Sequence, residues 1–325
     1  MCVVLHHGAG SPALLAATGI AWLPNAFGSI WSGRSAVIAF FIISGFCVHG
    51  PYVGVDRIDR RAFWTRRYIR VGLPLIAILP VAALFDVSYS PYDGWVTWTL
   101  VCEIAYYTAY PALRMLAGRK GWVSLVIVGY IVGYSSIALQ AAFPESAPAI
   151  AAGDILGNLP VWMLGCWLAD VGQQGPKIPS VWIMRIATLC ASLAYTFAHI
   201  IGLVSQNWTA PAFGLLATLW LLAELRHDAT FRILSKGGSW SYSLYLIHPV
   251  AIIGIAPLLF SHMSIRTAHA AGLLATPIIA YVFFVLVERP SHILARRMSA
   301  SALFRDRVER APARQGMAPD PINPV

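Results

Sequence analysis

The stretch FWTRRYIRVGLPL, residues 63–75, sets three arginines, Arg66, Arg67 and Arg70, directly ahead of a long apolar run that carries Pro74 and Pro80. Charge at the mouth of an apolar segment has two readings. Cations can anchor one end of a membrane helix, or guanidinium groups can hold the phosphates of a ligand through paired hydrogen bonds. In both readings the apolar run is taken as a membrane segment.

The rest of the chain has the same character. Its 325 residues are 58% hydrophobic and 11% charged, with mean hydropathy +0.66, far from the composition of soluble domains. Apolar windows of ~20 residues, long enough to cross ~30 Å of hydrocarbon, recur at 34–50, 68–85, 95–115, 122–143, 155–170, 181–203, 209–224, 238–260 and 270–288. The pattern predicts an all-α, polytopic transmembrane helical bundle of about ten spans, the first one truncated. The expected organisation is a membrane-embedded domain over 1–295 and a disordered polar tail over 296–325.

A net charge of +9 invites a nucleic-acid reading, but its distribution argues against one. If the loop 51–67 is cytoplasmic and sides alternate, 21 of the 23 Lys and Arg fall inside, leaving only Arg34 and Arg266 outside. That asymmetry is the inside-positive pattern of a multi-pass protein of the cell (inner or plasma) membrane with a cytoplasmic C-terminus. The lipid bilayer is therefore an expected partner and nucleic acid is not. Five scattered cysteines give neither a disulfide framework nor a metal site, and no nucleotide or hydrolase motif is present.

MCVVLHH, at about 10 Å of helix, cannot span a bilayer, and residues 1–23 could cross only as a broken helix. The expectation here is a first span cut short by a late start codon. Polar groups inside apolar spans are functional candidates because their burial there is costly. Glu103 is the only acid in its span and shares a helical face with Thr99, Tyr106 and Tyr107. It can serve chemistry or hold helices together through hydroxyls. His248 sits one turn after Tyr245, beside Pro249, and reads more readily as a hydrogen-bonded core residue. His6 and His7 could supply an imidazole base toward a hydroxyl, although an N-terminal His pair alone says little.

Five segments occur in order: FFIISGFCVHGPY (40–52), FWTRRYIRVGLPL (63–75), WTLVCEIAYYTAYP (98–111), SYSLYLIHP (241–249) and FFVLVERP (283–290). Over roughly residues 1–295 the chain thereby resembles the acyltransferase type 3 family of integral membrane acyltransferases. The resemblance implies transfer of an acyl group, often acetyl, from cytoplasmic acyl-CoA to a hydroxyl of a carbohydrate or glycolipid acceptor. Exopolysaccharide and O-antigen are among such acceptors. No tightly bound cofactor or metal is implied. His7 takes the place of the family's catalytic His, with His6 at a neighbouring aromatic position. Arg67 and Arg70 form its RxxR, joined by Arg66 in acyl-CoA binding. Glu103 is its carboxylate, preceded by Trp98, with Tyr107 as a further candidate. The family's Arg upstream of the catalytic His has no counterpart, because the chain begins too late. The rival readings are a flippase or transporter for a lipid-linked sugar, and a non-catalytic partner in polysaccharide assembly.

Overall fold

The computed structural model describes residues 30, 32–89, 96–172, 179–227, 238–259, 262 and 265–299. The expected first span, including His6 and His7, and nearly all of the expected tail lie outside these residues.

Each expected span from 34 onward is present as a helix. Ser32 starts α1 (Gly33–His49) by accepting the Ser35 N–H at 3.3 Å. Asp59 starts α2 (Arg60–Leu84) by accepting the Ala62 N–H at 3.0 Å; such side-chain acceptors satisfy donors that a first helical turn leaves unpaired. Next come α3 (Thr97–Lys120), α4 (Trp122–Ala142), α5 (Ala147–Val171), α6 (Val181–Ile200) and α7 (Gln206–Leu225). After them α8 (Ser241–Pro249) runs on through a π-helical stretch, Val250–Ile255. Finally α9 (Ile265–Phe283) passes through a second π stretch, Phe284–Glu288, into α10 (Arg289–Met298).

Eight of the described spans are long and apolar enough to cross a membrane, the last one running through α9 and α10 from Ala271 to Met298. The protein is a multi-pass helical membrane bundle. The remaining one of the nine expected spans, α3, is long enough at about 36 Å. It is not among the eight, and its sequence carries Glu103, three threonines and three tyrosines.

Two boundaries depart from expectation. With Asp59 as its cap, α2 starts eight residues before the expected 68, so Arg66 and Arg67 join Arg70 within the helix rather than standing ahead of it. Long arginine stems let charges inside a helix end still reach a polar layer. Likewise α10 continues to Met298, past the expected domain edge at 295.

The packing is closest where side chains are absent. A Cβ on Gly45 of α1 would stand 2.0 Å from the Trp162 carbonyl oxygen of α5, and one on Gly165 of α5 would stand 2.0 Å from the Ile42 carbonyl oxygen of α1. Between α4 and α5, Gly129 and Gly133 face Pro160, Met163 and the Leu156 backbone, while Gly153 and Gly157 face Gln140 and Ile137. These two Gly-x-x-x-Gly pairs allow the close approach that drives association of membrane helices. The result is an α1–α4–α5 core that fixes Ser44 and Trp162 beside α3.

Candidate functional site

The network around Glu103 draws on four helices, two of which bond the carboxylate directly. Its Oε1 accepts hydrogen bonds from Ser44 Oγ of α1 at 2.6 Å and from Tyr107 OH, one turn along α3, at 2.8 Å. The Ser44 oxygen in turn accepts from the Trp162 indole of α5 at 3.3 Å. Ser44, Glu103, Tyr107 and Trp162 are all buried. Every donor in the chain gives its proton toward Glu103, which suits the acceptor-only oxygens of a carboxylate. Both donors converge on Oε1.

From α2, Arg67 adds a cation to this network. Its guanidinium carbon lies 5.6 Å from the Tyr107 ring and 5.9 Å from the Phe63 ring. Its Nη2 donates to the Cys47 carbonyl at 3.1 Å. Cys47 is in the last turn of α1, where carbonyls lack helical partners and the dipole favours a cation. Arg67 therefore has a structural task as well as a place beside the carboxylate. Arg66, expected to join Arg67 in acyl-CoA binding, has a different neighbour. Its Nε donates to Ser299 Oγ beyond α10 at 3.1 Å, so two adjacent arginines serve different helices. Arg70 is exposed and within electrostatic reach of Glu103 and Glu288.

The other expected candidates separate from this centre. Tyr106, one residue from Tyr107, donates instead to the Ile155 carbonyl of α5 at 2.7 Å. Thr99 bonds Tyr245 OH of α8 at 2.6 Å. Trp98 packs edge-on against Phe41 and lies under Arg34, whose guanidinium carbon is 4.8 Å from its ring. There Arg34 donates to Asn207 at 3.2 Å, and Asn207 to Gln140 at 3.2 Å. His248 donates from Nδ1 to the Tyr245 carbonyl at 2.7 Å. That carbonyl is the one Pro249, lacking an N–H, leaves unserved in the helical ladder. The hydrogen-bonded core reading of His248 thus has a geometric cause.

Two polar groups went unread in the sequence. Glu288, inside FFVLVERP, accepts both the backbone N–H and the hydroxyl of Ser243 in the first turn of α8, locking α8 to the π stretch between α9 and α10. His49, inside FFIISGFCVHGPY, is buried at the end of α1. Its Nδ1 lies 2.9 Å from Tyr110 OH, and its Nε2 lies 3.2 Å from both Asp170 Oδ1 and Trp122 Nε1. A carboxylate only accepts and an indole only donates, so Nε2 serves one of the two at a time. His49 and Asp170 line a cavity of about 670 Å³ with the turn 53–58, Arg60, Arg114 and Gly118. Arg114 donates to the Tyr52 and Val55 carbonyls and pins that turn.

A family model described as an acyltransferase domain matches residues 1–287. Among curated proteins the chain is similar to "Acyltransferase MdmB" of Streptomyces mycarofaciens, at 23% identity over 68% of this chain and 68% of that protein. No solved structure gives a significant match.

Proposed function

This chain belongs to the acyltransferase family, and from that premise we propose that it is a membrane O-acyltransferase. It takes an acyl group, foremost acetyl, from cytoplasmic acyl-CoA and places it on a hydroxyl of a carbohydrate-containing acceptor such as an exopolysaccharide or O-antigen. The observation that carries the reading is the buried Glu103 network, with Arg67 beside it, built from residues of three of the family-like segments.

In this reading transfer is direct. The acceptor hydroxyl gives its proton to the imidazole of His7 while its oxygen attacks the thioester carbonyl. The carbon–sulfur bond breaks, and the CoA thiolate leaves and is protonated from the imidazolium. Glu103 acts by orienting that imidazole and balancing its charge through Oε2, the oxygen that Ser44 and Tyr107 do not occupy. Arg67 offers a fixed cation where negative charge develops on the thioester oxygen. Acyl-CoA is a co-substrate, and the reaction as written uses no resident cofactor.

Purified protein given acetyl-CoA and glycan from the producing cells should release free CoA thiol only when the acceptor is present, and should yield acylated glycan. Failure to release thiol or acylate glycan with any acyl-CoA tried would overturn the reading in favour of a transporter or assembly partner.

The arginines separate anchoring from chemistry. Arg67→Lys keeps the charge and can still meet the Cys47 carbonyl, but loses the planar fork. It should leave abundance and orientation intact and weaken use of the donor by ~1.5–3 kcal/mol for each charge-assisted hydrogen bond lost. Arg66→Lys, which exchanges only the contact to Ser299, should leave turnover at the wild-type level. Equal turnover in both variants would make Arg67 an anchor only.

A further inference from the structure

A second polar site stands apart from the Glu103 network and takes no part in the transfer step: the cavity of about 670 Å³ at the end of α1. We propose that this cavity holds the phosphate-bearing nucleotide half of the acyl donor, with Arg57 and Arg60 as its phosphate-binding groups. The inference rests on the acyl-CoA reading above and assigns where the donor's charged half docks.

Four observations support it. The volume falls within the ~300–1,000 Å³ usual for small-molecule sites. Arg57 and Arg60 line the cavity, are exposed, and make no hydrogen bond or ion pair among the described residues. Arg66 and Arg67, by contrast, are already engaged by Ser299 and Cys47. Beside the two arginines, Val53, Val55 and Met115 also line the cavity and stand 42%, 37% and 51% exposed. An apolar rim next to unpaired guanidinium groups matches a flat heteroaromatic base carrying phosphates. Of the two acids at the wall, Asp170 is taken up by His49, leaving Asp56 as the one carboxylate against Arg57, Arg60 and Arg114.

The helical register gives the rest of the donor a place. Arg60 and Arg67 are two turns apart on one face of α2, about 10 Å along the axis. From Arg114, at the cavity, back to Glu103 on α3 is about 16 Å. Phosphates at Arg57 and Arg60 therefore leave the thioester end of the pantetheine arm, not the phosphates, at Arg67 beside the Glu103 network. Behind Tyr52 and His49 of the cavity lining stand the Phe63 and Tyr110 rings, with centroids 5.0 Å apart. The arm reaches Glu103 along the Arg67 side of α2 or after Phe63 turns aside.

The test titrates the full-length protein, in nanodiscs of neutral lipid, with CoA, adenosine 3′,5′-bisphosphate and acetyl-pantetheine. Wild type should bind CoA and the bisphosphate. The double variant Arg57→Gln, Arg60→Gln should bind both about tenfold more weakly or worse. Its affinity for acetyl-pantetheine and its melting temperature should not change. Arg61→Gln, exposed on the same turn but outside the cavity lining, should behave as wild type. Unchanged CoA affinity in the double variant overturns the cavity assignment while the donor reading stands. No CoA binding by wild type overturns the donor reading and the assignment with it. A protein that retains phosphatidylglycerol through these arginines but binds no bisphosphate in neutral lipid has a lipid-headgroup site, and the assignment falls.

Discussion

Glu103→Gln should reduce acyl transfer by about 10²–10⁴-fold, the range expected when a group supporting general acid–base chemistry is lost, while the protein still folds and inserts. The prediction is sharp because glutamine keeps the structural half of the residue's work. Its amide oxygen can accept from Ser44 and Tyr107 as Glu103 Oε1 does, at 2.6 and 2.8 Å. What the amide loses is the negative charge and an accepting second oxygen. A structural role predicts the opposite ranking: near-normal turnover for Glu103→Gln and damage only for Glu103→Ala, which strands two buried hydroxyls. Thiol release from acetyl-CoA, measured beside gel-filtration profiles of both variants, separates the two. Wild-type turnover in the glutamine variant would remove Glu103 from the chemistry and leave it a helix-packing carboxylate.

Glu103 was legible because one acid in an apolar span has few explanations, and Tyr107 was legible because it lies one turn away. The sequence could not choose between Tyr106 and Tyr107. Both were placed on the Glu103 face, yet a step of one residue turns the side chain by ~100°, and Tyr106 bonds α5 instead. The same rotation separates Arg66 from Arg67, which read as one cluster along the chain. His49 failed for a different reason. Asp170, Trp122 and Tyr110 stand 121, 73 and 61 residues away, so no local spacing reports the meeting. Its only sequence signal is a histidine closing one span and an aspartate closing another, and that becomes visible once successive spans alternate in direction, which brings the C-terminal ends of α1 and α5 to the same side. The spans themselves were readable because hydropathy summed over ~20 residues needs no tertiary information. Helix starts were less so: Asp59 caps α2 through a single side-chain bond, and an apolar window does not register a cap.

Gly165→Ala and Gly45→Ala should be the most damaging small substitutions in the bundle, leaving little folded protein to assay. In each, the added methyl would stand 2.0 Å from a carbonyl oxygen of the facing helix, Ile42 for Gly165 and Trp162 for Gly45. No rotamer relieves a clash between a Cβ and a backbone, so α1 and α5 must separate by roughly 1 Å or more, and close-packed interiors resist such shifts. The control is Gly72→Ala in α2, where an added Cβ meets nothing within 4 Å. That change should be neutral or slightly stabilising, since alanine favours a helix over glycine by ~1 kcal/mol. Melting temperature and gel-filtration profile in detergent give the ranking. If all three alanine variants behave as wild type, the α1–α5 contact is looser than 2.0 Å implies. The consequence for function follows from position. Ser44 precedes Gly45 and is held between Trp162 and Glu103, so even a tolerated separation draws its hydroxyl away from the carboxylate. Any folded fraction of Gly45→Ala or Gly165→Ala should therefore lose transfer activity, whereas Gly72→Ala keeps it.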